Sequence, residues 1–287
     1  MKIKFNRQKQ KWIELPPHSK EGFYLDPRLR YKLDIVKKIL KNEWDAPLLI
    51  DGYERSGKST LAMTMGWYLS NETLSINNFC YGLDDAIKKI KEIPDKSILI
   101  VDEGSLVFSS KDVMMKEQKK LMKILDVVGM KNLIIIICLP SFFDLNKSIA
   151  IRRSRFLLHV YKSKEWERGR FCYFSERGKR TLYTIGKKGF GSYSKPKANF
   201  FGRFTKFQPP FYQEYLKFKR KTLLETLNDG AEFNKHDIKT ELIYNFKKNQ
   251  PEVTDKIIAK GFGISLSEYY RRKKRWEILH TTPPQPH

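Results

Sequence analysis

The sequence is short of cysteine, short of acidic side chains and without any long apolar run. Its 287 residues hold three cysteines, Cys80, Cys138 and Cys172, set apart in mostly apolar or aromatic surroundings without metal-ligand spacing. They read as reduced core residues rather than as a redox or metal site. The longest apolar run, "LIIIICL" from Leu133 to Leu139, is far too short to span a bilayer. The basic stretch "MKIKFNRQKQKW" lacks the apolar segment of a signal peptide, so the expectation is a cytoplasmic protein with no integral membrane segment. Repeats and low-complexity tracts are missing too. Against 32 acidic residues stand 56 basic ones, a net charge of +24 with a pI near 9.8. Solubility needs far less, so the imbalance points to a polyanionic partner, and DNA fits better than an anionic membrane.

What is present begins with "IDGYERSGKST", Ile50 to Thr60. Gly52, Gly57, Lys58 and Ser59 match G-x-x-x-x-G-K-[ST], in which backbone N–H groups cradle phosphates, the lysine reaches the outer ones and the hydroxyl ligates Mg²⁺. The expected nucleotide contacts are Gly52, Tyr53, Glu54, Arg55, Ser56, Gly57, Lys58, Ser59 and Thr60. Context agrees: "APLLI" before the loop has the pattern of a buried strand, and "KSTLAMTMGWYLS" after it has the period of a helix.

A phosphate loop needs a carboxylate to place the metal and a second group to orient water. "SILIVDE", Ser97 to Glu103, is a buried strand ending in both. Asp102 is expected to hold Mg²⁺ with Ser59, and Glu103 to polarise the attacking water. The amphipathic "KDVMMKEQKKLMKILDVVGM" follows, with Met114, Leu121, Leu125 and Val128 near one face, and then a third buried strand, "NLIIIICL". Ser141, just past that strand, is placed to sense a γ-phosphate, and Arg152, Arg153 and Arg155 are candidates to neutralise transition-state charge in their own chain or a neighbour. Alternating strands and helices predict an α/β fold, a mostly parallel sheet flanked by helices with its site at the carboxyl ends of the strands.

The runs "RFLLHVYKS", "GRFCYFSER" and "RTLYTIG" read as antiparallel edge strands and residues 187–210 as an irregular basic strap; the aromatics among basics in "FFGRFTKFQPPFYQEYLKFKRK" could add single-strand stacking, with half of them expected in the core. Together "DGYERSGKST", "SILIVDEGSLVFSS" and "NLIIIICLPSFFDLNKSIAIRRSRFLLHVY" resemble the zonula-occludens-toxin-type ATPases of phages and other mobile elements, relatives of the DNA-pumping FtsK and HerA ATPases, over roughly residues 45–165. The resemblance implies a P-loop ATPase that uses ATP and Mg²⁺ to move DNA, double-stranded DNA as the favoured partner, a homo-oligomer in the form of a ring, and the host cytoplasm as its place.

Near the end, "PEVTDKIIAKGFGISLSEYYRRKKRWEIL" resembles a helix-turn-helix. Ala259 and Gly263 fit the packing and the turn, and Ser265 caps a recognition helix from about Leu266 to Trp276. On it Ser267, Glu268 and Tyr270 could approach base edges, and Arg271, Arg272, Lys273, Lys274 and Arg275 phosphates. The expected organisation is a basic leader over residues 1–45, a P-loop ATPase domain over 46–228, a helix-turn-helix module over 229–280 and a loose tail over 281–287. Two other readings remain open: an ATP-switched helicase loader or transcription regulator, and a small-molecule or nucleoside kinase, for which "GKST" alone would serve.

Overall fold

The computed structural model describes residues 3–6, 11–14, 22–102, 111–229, 243, 246–247 and 249–281. Two compact units emerge, Met1–Arg220 and Lys221–His287.

In the first, β1 (Ile3–Asn6) and β2 (Lys11–Glu14) form an antiparallel ribbon with Ile3 opposite Glu14. Then come α1 (Pro27–Lys41), β3 (Ala46–Asp51), α2 (Lys58–Leu69), β4 (Phe79–Tyr81), α3 (Gly82–Glu92) and β5 (Ile98–Asp102). After them follow α4 (Lys111–Met130), β6 (Ile134–Leu139), β7 (Phe156–Tyr161), β8 (Arg170–Phe174), α5 (Glu176–Lys188), β9 (Phe200–Arg203) and the first half of α6 (Tyr212–Asp229), whose remainder falls in the second unit. Strands β3 to β9 form one sheet in the order β4-β5-β6-β3-β7-β8-β9. The first five in that order are parallel, and β8 and β9 extend the sheet antiparallel. This is the mostly parallel, helix-flanked α/β sheet of a P-loop NTPase-like fold.

The central strands are apolar on both faces because helices cover both. Leu48, Ile50, Ile134, Ile136 and Cys138 pack with Leu29 and Leu33 of α1, Leu61 and Met65 of α2, and Tyr215 of α6. Leu49, Ile135, Ile137 and Leu139 face the other way, onto Leu83 of α3, Leu121, Leu125 and Val128 of α4, and Leu182 of α5. Strands buried on both sides read as continuous apolar runs, which is why they stand out in the sequence. Each fully buried aliphatic side chain contributes about 1.5–3 kcal/mol before the cost of ordering it. All three cysteines are buried, and burial pushes the thiols of Cys80 and Cys172 up to about 12.

Three expectations about the edge need correction. "RFLLHVYKS" contains β7, but β7 runs parallel to β3, Leu48 opposite Phe156. The chain leaves β6 at its carboxyl end and returns through short helical turns over Phe142–Asp144 and Ser148–Arg153 before entering β7. "RTLYTIG" is helix, not strand. Ser175 caps α5 by accepting from the Gly178 N–H at 3.3 Å, and Lys179, Leu182, Tyr183 and Gly186 are buried at helical spacing. The strap is not wholly irregular, since it contributes β9; of the aromatics over 200–221, Phe204, Phe207, Phe211 and Tyr215 are buried core, Phe200, Tyr212 and Phe218 are partly buried, and Phe201 is half exposed.

In the second unit, α7 (Asp255–Gly261) and α8 (Leu266–Thr281) close over Ile243, Ile258, Ala259 and Tyr269, with Val253, Phe262 and Ile264 packed against them. Gly263 turns the chain at φ 63°, a left-handed conformation that costs glycine little. Ser265 accepts from the Glu268 N–H at 3.2 Å at the start of α8.

Candidate functional site

The loop between β3 and α2 lies at the carboxyl edge of the sheet, where register aligns Asp51 with Leu139 of β6 and with His159 of β7. Its two motif glycines have separate reasons to be glycine. Gly52 has φ 138°, and a Cβ there would collide with the carbonyl oxygen of Val160. Gly57 has φ 110°, and its Cβ would press on the Phe204 ring at 3.1 Å. Tyr53, Glu54 and Arg55 form an exposed tip, whereas Ser56 is buried. Since Gly57 caps α2 without a side chain, the first N–H groups of that helix face the loop, a ready seat for anionic oxygen. Lys58 is buried in the same curl, its ammonium donating to the carbonyls of Gly52 at 2.6 Å and Tyr53 at 3.2 Å.

Ser59, the next residue, donates from Oγ to Oδ1 of Asp102 at 2.8 Å. Loop and carboxylate strand are not neighbours in the sheet, because β6 lies between β3 and β5; α2 carries Ser59 across that gap. The other oxygen of Asp102 accepts from Tyr215 at 2.6 Å and from Lys219 at 2.8 Å. Burial alone would raise the carboxyl, but the Lys219 charge and the hydrogen bonds from Lys219, Tyr215 and Ser59 outweigh it and hold Asp102 below the ordinary value. Burial would depress the Lys219 ammonium, and Asp102 reverses this and raises it; Tyr215 is raised by burial and by the same carboxylate. A carboxylate kept ionised beside a hydroxyl is a donor pair suited to a hard cation such as Mg²⁺.

A second buried carboxylate lies at the root of the loop. Asp51 accepts from Tyr193 and from the Phe142 N–H at 3.0 Å, and pairs with His159 Nδ1 at 3.0 Å. The Tyr193 and His159 rings stack with centroids 3.6 Å apart. Burial, then the Asp51 charge, raises the Tyr193 hydroxyl. Ser141 sits beside this network, its Oγ accepting from the Phe143 N–H at 3.2 Å, close to the strand end where it was expected.

The arginines lie elsewhere in the fold. Arg155 donates to the Asp45 carbonyl at 3.0 and 3.2 Å, and Arg153 to the Leu125 carbonyl with its guanidinium 3.6 Å from the Asp45 carboxylate. Asp45 precedes β3, so both are engaged at the opposite end of that strand from the loop, while Arg152 is exposed. Within one chain Arg153 and Arg155 do not join the loop and Asp102. Glu103 lies outside the described residues, directly after Asp102.

On α8, Ser267, Tyr270, Arg271 and Lys274 are exposed at i, i+3, i+4 and i+7 and form one face. Arg272 departs from the expected phosphate contacts: it is buried, and its Nε donates to Glu268 at 3.0 Å, which withdraws both from direct recognition. Lys273 leans toward Asp255 at 3.9 Å, and the side chain of Arg275 lies outside the described residues. Among the described residues no helix is long and apolar enough to cross a membrane.

Sequence reasoning missed Asp51, His159, Tyr193, Tyr215 and Lys219. Asp51 and His159 carry a signal, each a polar residue ending or interrupting an apolar strand. Tyr215 and Lys219 have only their i, i+4 spacing, and nothing local says which face of α6 meets Asp102.

No family model matches this chain, and no curated protein matches it. Among solved structures, the replication initiator DnaA bound to AMPPCP and single-stranded DNA is similar over 90% of this chain and 91% of that chain, at 15% sequence identity and a TM-score of 0.31. A likeness of that size carries no argument about what this chain binds.

Proposed function

We propose that this chain is a P-loop ATPase that acts on DNA, a zonula-occludens-toxin-like protein of a virus or mobile element that works as a homo-oligomer in the host cytoplasm to move double-stranded DNA. The observation that carries the reading is the 2.8 Å hydrogen bond from Ser59 to Asp102, which joins two motifs 43 residues apart at one carboxyl edge. Neither motif was needed to place the other. An ordinary glycine turn would have no reason to deliver its hydroxyl to a buried, ionised carboxylate.

Ser59 and Asp102 would hold Mg²⁺, which when bound would neutralise phosphate charge. Lys58 is pre-positioned by two loop carbonyls and exchanges them for phosphate oxygens. The N–H groups at the start of α2 bind the same phosphates. Glu103 orients the attacking water, and Ser141, held on the Asp51 network, faces the γ-phosphate. Arg152, exposed at the other end of the sheet, serves a neighbouring subunit.

DNA enters through the exposed face of α8, with Arg271 and Lys274 on phosphates and Ser267 and Tyr270 toward the bases. The net charge of +24 supports this over a small-molecule kinase, which gains nothing from such an excess. The test is phosphate release and nucleotide binding measured in parallel on Lys58→Ala, with and without DNA. Loss of turnover in the variant and DNA-stimulated turnover in the native chain are expected; native turnover in the variant sinks the site, and DNA-indifferent turnover sinks the DNA role.

A further inference from the structure

Asp102 is served from two directions. Ser59 of the phosphate loop reaches Oδ1, and Lys219 and Tyr215 of α6 reach Oδ2, with the ammonium also 3.3 Å from the tyrosine hydroxyl. Tyr215 and Lys219 are four apart, so one helix face presents both. That face is anchored: the Tyr215 ring lies 5.3 Å from Phe79, and Phe211 lies 5.6 Å from Phe79 and 6.4 Å from Trp67. Lys219 differs from its neighbours in one respect. Its side chain is 33% exposed while that of Asp102 is 4% exposed, so the ammonium reaches the carboxylate from the solvent side and can be withdrawn without unpacking the aromatics.

We propose that Lys219 is a positioning residue that sets the cation affinity of the nucleotide site, holding Asp102 as an ammonium-paired carboxylate until a divalent cation takes its charge. The inference rests on the reading of Ser59 and Asp102 as the cation's ligands. An ammonium hydrogen-bonded to one oxygen of a carboxylate cancels much of the field that the other oxygen offers, and repels a second cation within a few ångströms. In a site with little water this opposition is large, whereas at an exposed pair it would be screened. With Lys219 in place, metal-dependent nucleotide binding is therefore weaker than Ser59 and Asp102 alone would provide. Movement of α6 that draws Lys219 outward strengthens it.

The experiment measures the affinity of the full chain for fluorescently labelled ADP with and without Mg²⁺, and takes the ratio of the dissociation constant without Mg²⁺ to that with it. Lys219→Met keeps the stem and removes the charge, and should raise the ratio by about tenfold or more. Lys219→Arg keeps a cation on Asp102 and should leave the ratio near the native value. Thermal melting of each variant separates loss of folding from loss of control. A lower melting temperature in Lys219→Met with an unchanged ratio makes Lys219 a packing residue and overturns the proposal. Labelled ADP that binds all three proteins equally with or without Mg²⁺ overturns the assignment of Asp102 as a cation ligand and this proposal with it. Absence of ADP binding throughout overturns the nucleotide reading itself.

Discussion

Arg155 holds Asp45 at the amino end of β3, its guanidinium 3.0 and 3.2 Å from the backbone carbonyl, while the glycine loop begins at the other end of the same strand. A six-residue strand spans about 17–20 Å, too far for the side chain to serve both. Arg155→Ala should therefore destabilise the first unit by about 1–3 kcal/mol, read by chemical denaturation. Arg152→Ala should leave stability within about 0.5 kcal/mol.

If Arg152 completes the site of an adjacent copy, Arg152→Ala subunits mixed with Lys58→Ala subunits recover part of the native turnover, because some mixed interfaces pair an intact loop with an intact arginine. Subunit exchange is verified separately by light scattering or labelled subunits. No recovery in assemblies that do exchange removes Arg152 from that role.

Replacing Glu103 with Gln should act differently from Lys58→Ala. On the proposed reading the phosphate contacts and the Ser59–Asp102 pair are kept, so ATP should still bind, while turnover should fall by about 10²-fold or more because the group proposed to orient water loses its charge. Equal turnover in Glu103→Gln and the native chain would place the base elsewhere.

Lys179 is fully buried, its ammonium donating to the carbonyls of Ala150 at 2.8 Å and Ile151 at 2.7 Å, and burial lowers it to about 8. In the unfolded chain it titrates near its ordinary value of 10.5. Between those two pH values the unfolded state binds more protons, so this group's contribution to stability rises with pH across the window. Above about 10 the opposite sign enters through Tyr173, which burial raises to about 12, so the folded form there holds the extra proton. The melting temperature should climb from pH 8 toward 10 and then fall. Lys179→Met should flatten the climb and leave the fall.

On the second unit, Arg271→Ala with Lys274→Ala should reduce the log–log salt dependence of DNA binding by about one unit per lost phosphate contact, without changing basal ATP turnover. Arg272→Ala should instead destabilise the packing of α8 through loss of its pair with Glu268, with a salt slope unchanged for the folded fraction. A double variant with the native slope would move the grip away from this face.

The glycine loop between β3 and α2, the strand ending at Asp102 and the alternation that makes a parallel sheet were legible in the chain itself, because each depends on neighbours close in sequence: glycines at a turn, apolar residues in a row, a cap before a helix. The turn at Gly263 and the start of α8 at Leu266 were legible for the same reason. The reading failed at "RTLYTIG", whose Thr, Tyr and Ile favour a strand, while the burial of Lys179, Leu182, Tyr183 and Gly186 follows a helix. Only tertiary packing decides that Arg155 meets Asp45 far from the loop, that sheet register and the segment after α5 bring His159 and Tyr193 to Asp51, and that α6 delivers Lys219 to Asp102 across 117 positions of chain. Such pairings cost loop entropy that long-range packing must offset, and no local pattern records which partners that packing will bring together.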